Sequence, residues 1–358
     1  MKRKILLTLA GLLLVTLSFA AGSPDKALPE QTMLPGSLSP YPKLPFKEMI
    51  FAPRQFLTFD TPAIVELPDG GLFAAWCRSL CWGYNGSLWG SRRPVGAKAW
   101  TEPSLIHDIS RMNDKNPVLY IDRDKNLRVV WALQQNKSKW NHKDILQVKV
   151  SMDSGRTWGN SSDFGTPVGY LSRSRPIRLY NGWLVMPIYM DWDTSSFIII
   201  SKDGGLTWGK PKLIFPFLGI EPTIIQRSDL SLFALMRSGT WPRRSWEVSS
   251  GDLGRSWKNW RISDITNPGS ALEMVKLRNG HVALVFNNAK RKRYNLSIAL
   301  SYDDGKTWTH IKSIEDQRGH VYDYPSIIQD RYGLIHVVYC YDDQNIAHFV
   351  TNEEWIEN

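Results

Sequence analysis

Cysteine is nearly missing from this 358-residue chain, which has only Cys77, Cys81 and Cys340. An odd count this small excludes a disulfide framework as the source of stability. Cys77 and Cys81 can either pair across a strand end or stand as two buried thiols. Long apolar runs are missing after the first twenty residues, so no later segment is fit to cross a bilayer as a helix. The seven histidines are scattered without metal-ligand spacing, no glycine-rich phosphate loop stands out, and no Glu closes a calcium loop. Neither a metal nor a cofactor is expected. Dense Lys/Arg blocks and nucleic-acid motifs are missing too, which argues against nucleic acid as a partner. The formal charge is nevertheless +10, and a mildly basic surface favours acidic ligands.

The one apolar run present lies at the start. Met1-Lys-Arg-Lys4 and the apolar stretch to Ala20 have the layout of a secretory signal over residues 1–20, with Ser18-Phe-Ala20 at the cleavage site. An uncleaved anchor is the alternative. Loss of Lys2, Arg3 and Lys4 with that signal would leave +7. Residues 21–44 are rich in Pro and Ser and read as a linker, which leaves 45–358 as one domain. The protein is expected to be secreted or periplasmic, monomeric, and without a membrane span once the signal is removed.

What the chain does contain is a phrase repeated four times, Ser-x-Asp-x-Gly-x-Thr/Ser-Trp. It spans Ser151–Trp158, Ser201–Trp208, Ser250–Trp257 and Ser301–Trp308, with aspartates at 153, 203, 252 and 303, intervals of 50, 49 and 51 residues. A period of that length marks a stacked or circular repeat. The phrase encodes a turn: Ser and Asp side chains bond nearby backbone N–H groups, Gly supplies positive φ, and Trp buries beside the loop. A second signal extends the count to six. Strand-like runs begin at Pro62, Pro117, Pro176, Pro222, Leu272 and Pro325, each followed by a turn and another apolar run. Six units of about 50 residues predict an all-β, six-bladed β-propeller with Asp-box repeats in blades two to five. A β-solenoid is the alternative. Ser91–Trp100 reads as a decayed Asp-box in blade one, and Glu48–Arg54 is available as the outer strand that closes blade six.

In such a ring the inner strands begin on the axis, so the residue before each inner-strand Pro lies on a rim. Those positions are Thr61, Asn116, Arg175, Glu221, Ala271 and Tyr324. An Arg, a Glu and a Tyr converging on one axis form the default site hypothesis. With the Asp-boxes, these rim residues resemble the sialidase (neuraminidase) superfamily of BNR-repeat propellers, nearest its bacterial exported branch, from about Phe51 to the C-terminus.

The resemblance implies roles. Glu221, 16 residues before Arg237 in Leu235-Met-Arg237-Ser, matches the family's Glu and a substrate-binding Arg. Arg293 in Lys292-Arg293-Tyr-Asn matches a second Arg. Tyr324, in Asp323-Tyr324-Pro, matches the nucleophile. The chemistry is coherent: a neutral Tyr avoids repulsion by the sialic acid carboxylate, and Glu221 can take the phenolic proton. The two arginines can hold the carboxylate through forked bonds. Two family elements are absent. Asp60 occupies the place of the first Arg, and Asn85 that of the general-acid Asp. Arg54, Arg78 or Arg175 are candidates to replace the lost Arg, with Arg175 taken as a third substrate-binding residue, and Asp60 is the candidate acid.

Three functions stay open: a sialidase-like exo-glycosidase acting on sialic acid or a related acidic sugar, a uronate-directed glycosidase or lyase, and a glycan-binding propeller without catalysis. Trp82, Trp89, Trp140 and Trp192 are available to stack on sugars. An acidic glycan is the expected partner.

Overall fold

The computed structural model describes residues 41, 43–52, 57–80, 84–135, 143–239 and 241–358. These form six antiparallel sheets around one axis, and the closed ring overturns the solenoid alternative. Blade one holds Leu57–Glu66, Leu72–Leu80, Tyr84–Arg93 and Ser104–His107. Blade two holds Met112–Ile121, Leu127–Gln135, Ile145–Ser151 and Ser162–Asp163. Blade three begins with two short pieces, Leu171–Ser172 and Ile177–Arg178, which both pair with Leu184–Met190. Ser195–Ser201 and Lys212–Phe215 complete it. Blade four is Gly219–Gln226, Leu232–Ser238, Arg244–Ser250 and Lys258–Thr266; blade five is Glu273–Lys276, Val282–Phe286, Asn295–Ser301 and Thr309–Asp316. A short helix, Glu353–Glu357, follows blade six. The signal and most of the linker, with Arg54, Cys81, Trp82 and Trp140, lie outside the described residues. Cys77 and Cys340 are free, buried thiols. No described helix is long and apolar enough to cross a membrane.

Blade six shows how the ring closes. Tyr322–Gln329, Ile335–Tyr341 and Asn345–Thr351 are its inner three strands, and its outer strand is Phe46–Met49, in register with Phe46 opposite Val350. A buried polar chain runs across this seam. Asp330 meets His336 Nε2 at 3.1 Å, His336 Nδ1 meets His348 Nε2 at 3.0 Å, and His348 Nδ1 meets Glu48 Oε1 at 3.0 Å. Burial holds His348 neutral, with His336 and Arg93 acting in the same direction. The two histidines lie twelve residues apart in the sequence, a spacing that gives no hint of this pairing.

The Asp-boxes are the turns between the third and fourth strands of blades two to five. In the first, Ser151 Oγ donates to Asp153 and accepts from the Gly155 N–H at 2.7 Å. Asp153 also accepts from the Thr157 N–H at 2.8 Å and hydroxyl at 2.6 Å. The glycine is required twice over. Gly155 has φ 85°, and a Cβ there would lie 2.4 Å from the Phe73 ring of blade one. Each box Trp wedges against the preceding blade: Trp158 on Phe73, Trp208 on Tyr120, and Trp257 and Trp308 in the clusters shared with blades three and four. Blade one keeps the wedge without the box, because Trp100 packs edge-on against His348 of blade six and bonds Glu48. These contacts make the interblade core continuous around the ring.

At the opposite end of the blades, four inner strands share one distortion. Thr61, Asn116, Glu221 and Tyr324 have φ of 50°, 52°, 53° and 50°, each inside a register shift. Left-handed backbone is costly for residues with a Cβ, and more so ahead of proline. The bulge turns these side chains onto the axis. Further along the axis, Arg173 bonds the carbonyls of Pro62 and Pro325 (3.4 and 2.9 Å). Glu273 accepts from the N–H groups of Arg175 and Ile327. Both side chains are almost fully buried and plug the middle of the ring.

Candidate active site

The rim brings Tyr324, Glu221, Arg237, Arg293 and Asp60 to one end of the axis. Glu221 is buried; its Oε1 is held by Arg237 at 2.9 Å, and its Oε2 has no hydrogen-bond partner among the described residues. Arg237 and Arg293 both donate to the Gly269 carbonyl, at 3.1 and 3.0 Å, which ties blade four to blade five. Arg293 also pairs with Asp323 at 2.5 Å and lies 5.3 Å from the centre of the Tyr324 ring. Burial opposes the charge of both arginines. Neighbouring carboxylates, Glu221 for Arg237 and Asp323 for Arg293, override it and raise both pKa values.

Tyr324 is the focus of this set. Burial raises the pKa of its hydroxyl, and the charges of Asp60 and Glu221 raise it further, against Arg237 and Arg293. The phenol is therefore neutral at physiological pH. Proton transfer from Tyr324 to Glu221, expected from the resemblance, would be most direct through a Tyr324–Glu221 hydrogen bond. None is made: Arg237 holds Glu221 Oε1, and Oε2 has no hydrogen-bond partner among the described residues. Tyr189, with its hydroxyl bonded by Asn116 at 2.8 Å, stands in the same field, and burial together with Glu221 holds its pKa up.

Asp60 is a strongly perturbed carboxyl in the cleft. The residue is solvent-exposed, but the protein packed around its carboxyl desolvates it and pushes its pKa up to about 7, helped by the charges of Asp323 and Asp343. A 2.8 Å bond from the Thr61 N–H and the charge of Arg173 resist the shift without cancelling it. Asp323 and Asp343 are raised as well, chiefly by burial, so the three carboxyls titrate as a coupled group. Asp60, Asp323 and Cys340 bring their polar atoms within 4.8 Å of one another, an assembly that no sequence spacing announces. Arg293 already pins Asp323, and burial keeps the Cys340 thiol protonated. The donor set therefore suits a proton-holding acid better than a cation.

The sequence matches the BNR repeat-like domain family over residues 87–337. The chain belongs to this family. This BNR-repeat protein is also 24% identical, over 277 residues, to a sialidase of Bacteroides fragilis; the match takes in 71% of this chain and 49% of that protein. It thus spans about half the length of that relative. Among solved structures, its fold is similar to a protein of unknown function from Dyadobacter fermentans, with TM-score 0.71 and 16% identity over 85% of this chain and 97% of that one. It is also similar to the NanB sialidase of Streptococcus pneumoniae, with TM-score 0.70 and 13% identity over 86% and 70%.

Two of the residues proposed from sequence to replace the missing arginine are elsewhere in this BNR-repeat protein. Arg175 is not on the cleft rim. Blade three lacks the left-handed bulge at that position, its inner strand is broken before Ile177, and the Arg175 side chain turns away from the cleft to bond the Ile327 carbonyl at 3.1 Å. Arg78 lies over the Trp89 ring, 4.4 Å from its centre. A second guanidinium besides that of Arg293 approaches Tyr324, that of Arg173, at 5.5 Å from its ring centre. Sequence reasoning missed it, together with Asp343 and Tyr189. Arg173 has the same parity as Arg175, two residues away, and only the break in the strand separates their directions. Trp192 is 56% exposed, in the blade-three loop Asp191–Thr194 on the cleft end.

Proposed function

We propose that this cleft hydrolyses a terminal glycoside, as a sialidase-like exo-glycosidase acting on sialic acid or a related acidic sugar outside the cytoplasm. The observation that carries the reading is Glu221: one oxygen clamped by Arg237, the other buried, without a partner, and in the field of the Tyr324 hydroxyl. In the proposed reaction Tyr324 Oη attacks the anomeric carbon while its proton passes to Glu221 Oε2. The bond to the glycosidic oxygen breaks, and Asp60, protonated below pH about 7, gives its proton to the departing oxygen. Water then attacks the glycosyl-tyrosine bond. The Asp60 carboxylate takes the water proton, and Glu221 returns its own to Tyr324. Arg237 and Arg293 orient an acidic group on the sugar.

A second reading, toward a uronate substrate, has one observation in its favour. Asp60 stands where the resemblance places a carboxylate-binding Arg, and three guanidinium groups (Arg173, Arg237, Arg293) face four carboxyls (Asp60, Glu221, Asp323, Asp343) across the cleft. That balance holds one anion loosely. The deciding experiment is a panel of aryl and natural glycosides of sialic acid, uronic acids and rhamnose. Release of sialic acid supports the first reading. Turnover of uronates alone selects the second, and binding without turnover on every member overturns both.

A further inference from the structure

The axis has a second opening. At the far ends of the inner strands, from Glu66 in blade one to Gln329 in blade six, lies a cavity of about 670 Å³. Arg173 and Glu273 on the axis separate it from the cleft. Arg175 forms its floor. The Arg175 Nε bonds Ile327, while its terminal nitrogens have no hydrogen-bond partner among the described residues. The nearest carboxylate, Glu273, is already engaged by two backbone N–H groups. Desolvation lowers the pKa of Arg175 and Glu273 only partly offsets this, so a half-buried cation facing the cavity is left without a full counter-charge.

The walls repeat the imbalance. Arg178 and Arg278 are exposed and donate to carbonyl oxygens, those of Gly182 and Arg331. Arg227 bonds the Asp304 carbonyl and the Ser249 hydroxyl. Lys276 has a carboxylate partner, Asp304 at 2.7 Å, and the one acidic wall residue, Glu66, is taken by Arg331. The guanidinium groups without a carboxylate partner, Arg175, Arg178 and Arg278, come from blades three and five and do not converge on one point. Charges spread in this way match successive anions along a chain better than a single small ion. Tyr180 stands on the wall 66% exposed, a flat ring on which a sugar face can lie.

We propose that this far funnel is a second binding site, for an acidic oligosaccharide with carboxylate or sulfate groups on successive sugars. Arg175 takes the innermost anion, and Arg178 and Arg278 take the outer ones. The site is independent of the chemistry assigned to the cleft.

The test is calorimetric titration of the protein with an oligogalacturonate, a chondroitin sulfate tetrasaccharide, maltotetraose and inorganic phosphate. It is repeated on the exposed double variant Arg178→Ala/Arg278→Ala and on the cleft variant Arg293→Ala, with melting temperature as the check on folding. At least one charged oligosaccharide should bind the wild type and Arg293→Ala alike, bind the double variant about tenfold more weakly or worse, and weaken with salt. Preference for the oligogalacturonate or for the sulfated sugar identifies the anion. Four results overturn the proposal: unchanged binding by the double variant, loss in Arg293→Ala alone, maltotetraose or phosphate binding as tightly as the charged sugars, or no binding of either charged sugar.

Discussion

At one end of the blades, four aspartates sit in turns that supply several hydrogen bonds to each; at the other end, Asp60 has far fewer. Desolvation is the largest single influence on Asp153 and opposes its ionisation, but hydrogen bonds from Thr157, Ser151 and Arg156 together prevail and lower its pKa to about 2. Asp203, Asp252 and Asp303 are lowered in the same way. Asp60 receives one bond from Thr61 and rises to about 7. Several buried polar atoms without partners lie at the cleft end, among them Thr61 Oγ1, Glu221 Oε2, Asp323 Oδ1 and Nε of both Arg173 and Arg237, although the box indoles Trp158 Nε1 and Trp257 Nε1 are unpartnered too. One repeat thus supplies a turn that stabilises and a rim that stays electrostatically unsettled, a division expected where chemistry is done.

The sharpest way to break this contrast is at Tyr324 and Glu221. Tyr324→Phe should remove turnover, a loss on the order of 10⁴-fold or more, and Glu221→Gln should cost roughly 10²–10⁴-fold. Steady-state kinetics on the best glycoside of the panel would reveal it, with ligand affinity changed little in Tyr324→Phe. Retained turnover in Tyr324→Phe would remove the nucleophile assignment.

Asp60 comes next. As an acid with a pKa near 7, it should give the wild type an alkaline limb on natural glycosides, with activity falling as pH rises through about 7. Asp60→Asn should lose about 10²-fold there and lack that limb, while kcat/KM for an activated aryl glycoside, which reports only the glycosylation step, should change little. Stability gives a second readout. The folded protein holds the Asp60 proton between about pH 4 and 7 and the unfolded chain does not, so the wild type loses stability as pH rises through that window. Asp60→Asn should therefore melt higher than wild type at pH 8 and the same at pH 4.

The smallest effect belongs to the satisfied end. Asp203→Ala should cost about 1–2 kcal/mol, as for a lost cap, and leave activity intact. Urea titration would measure it. Because the box aspartates are depressed, their contribution is present above about pH 4 and is lost as pH falls toward 2. An activity loss matching the stability loss would dissolve the separation between the two ends.

The satisfied end was also the legible one. Its chemistry is local, with donor and acceptor within seven residues, so four copies in register disclosed the blades, and the Pro-led runs disclosed the other two. The rim was half legible. Glu221 and Tyr324 occupy the regular position before an inner-strand Pro, and the bulge there is repeated. Arg175 occupies the same position in sequence, yet its strand is broken and its side chain faces the far funnel. Asp343 and Arg173 reach the cleft through the closure of the ring, which no window of sequence contains. The Asp330–His336–His348–Glu48 chain was hidden for the same reason.

The seam in blade six carries one more consequence, for the order of events in folding. Its fastening contact, His348 with Glu48, joins residues 300 positions apart. Five blades are assembled from neighbouring hairpins, but the sixth waits for a contact of the highest separation in the ring. The entropy of closing so long a loop grows only slowly with length, while the search for it is slow. Until Phe46–Met49 docks, Asn345–Thr351 presents a bare strand edge. At high protein concentration the Phe46–Met49 segment of a second molecule can fill that edge as well as the chain's own. Refolding from denaturant at rising concentration should then divert molecules into exchanged dimers and longer chains, each with every blade complete and none with its own clasp.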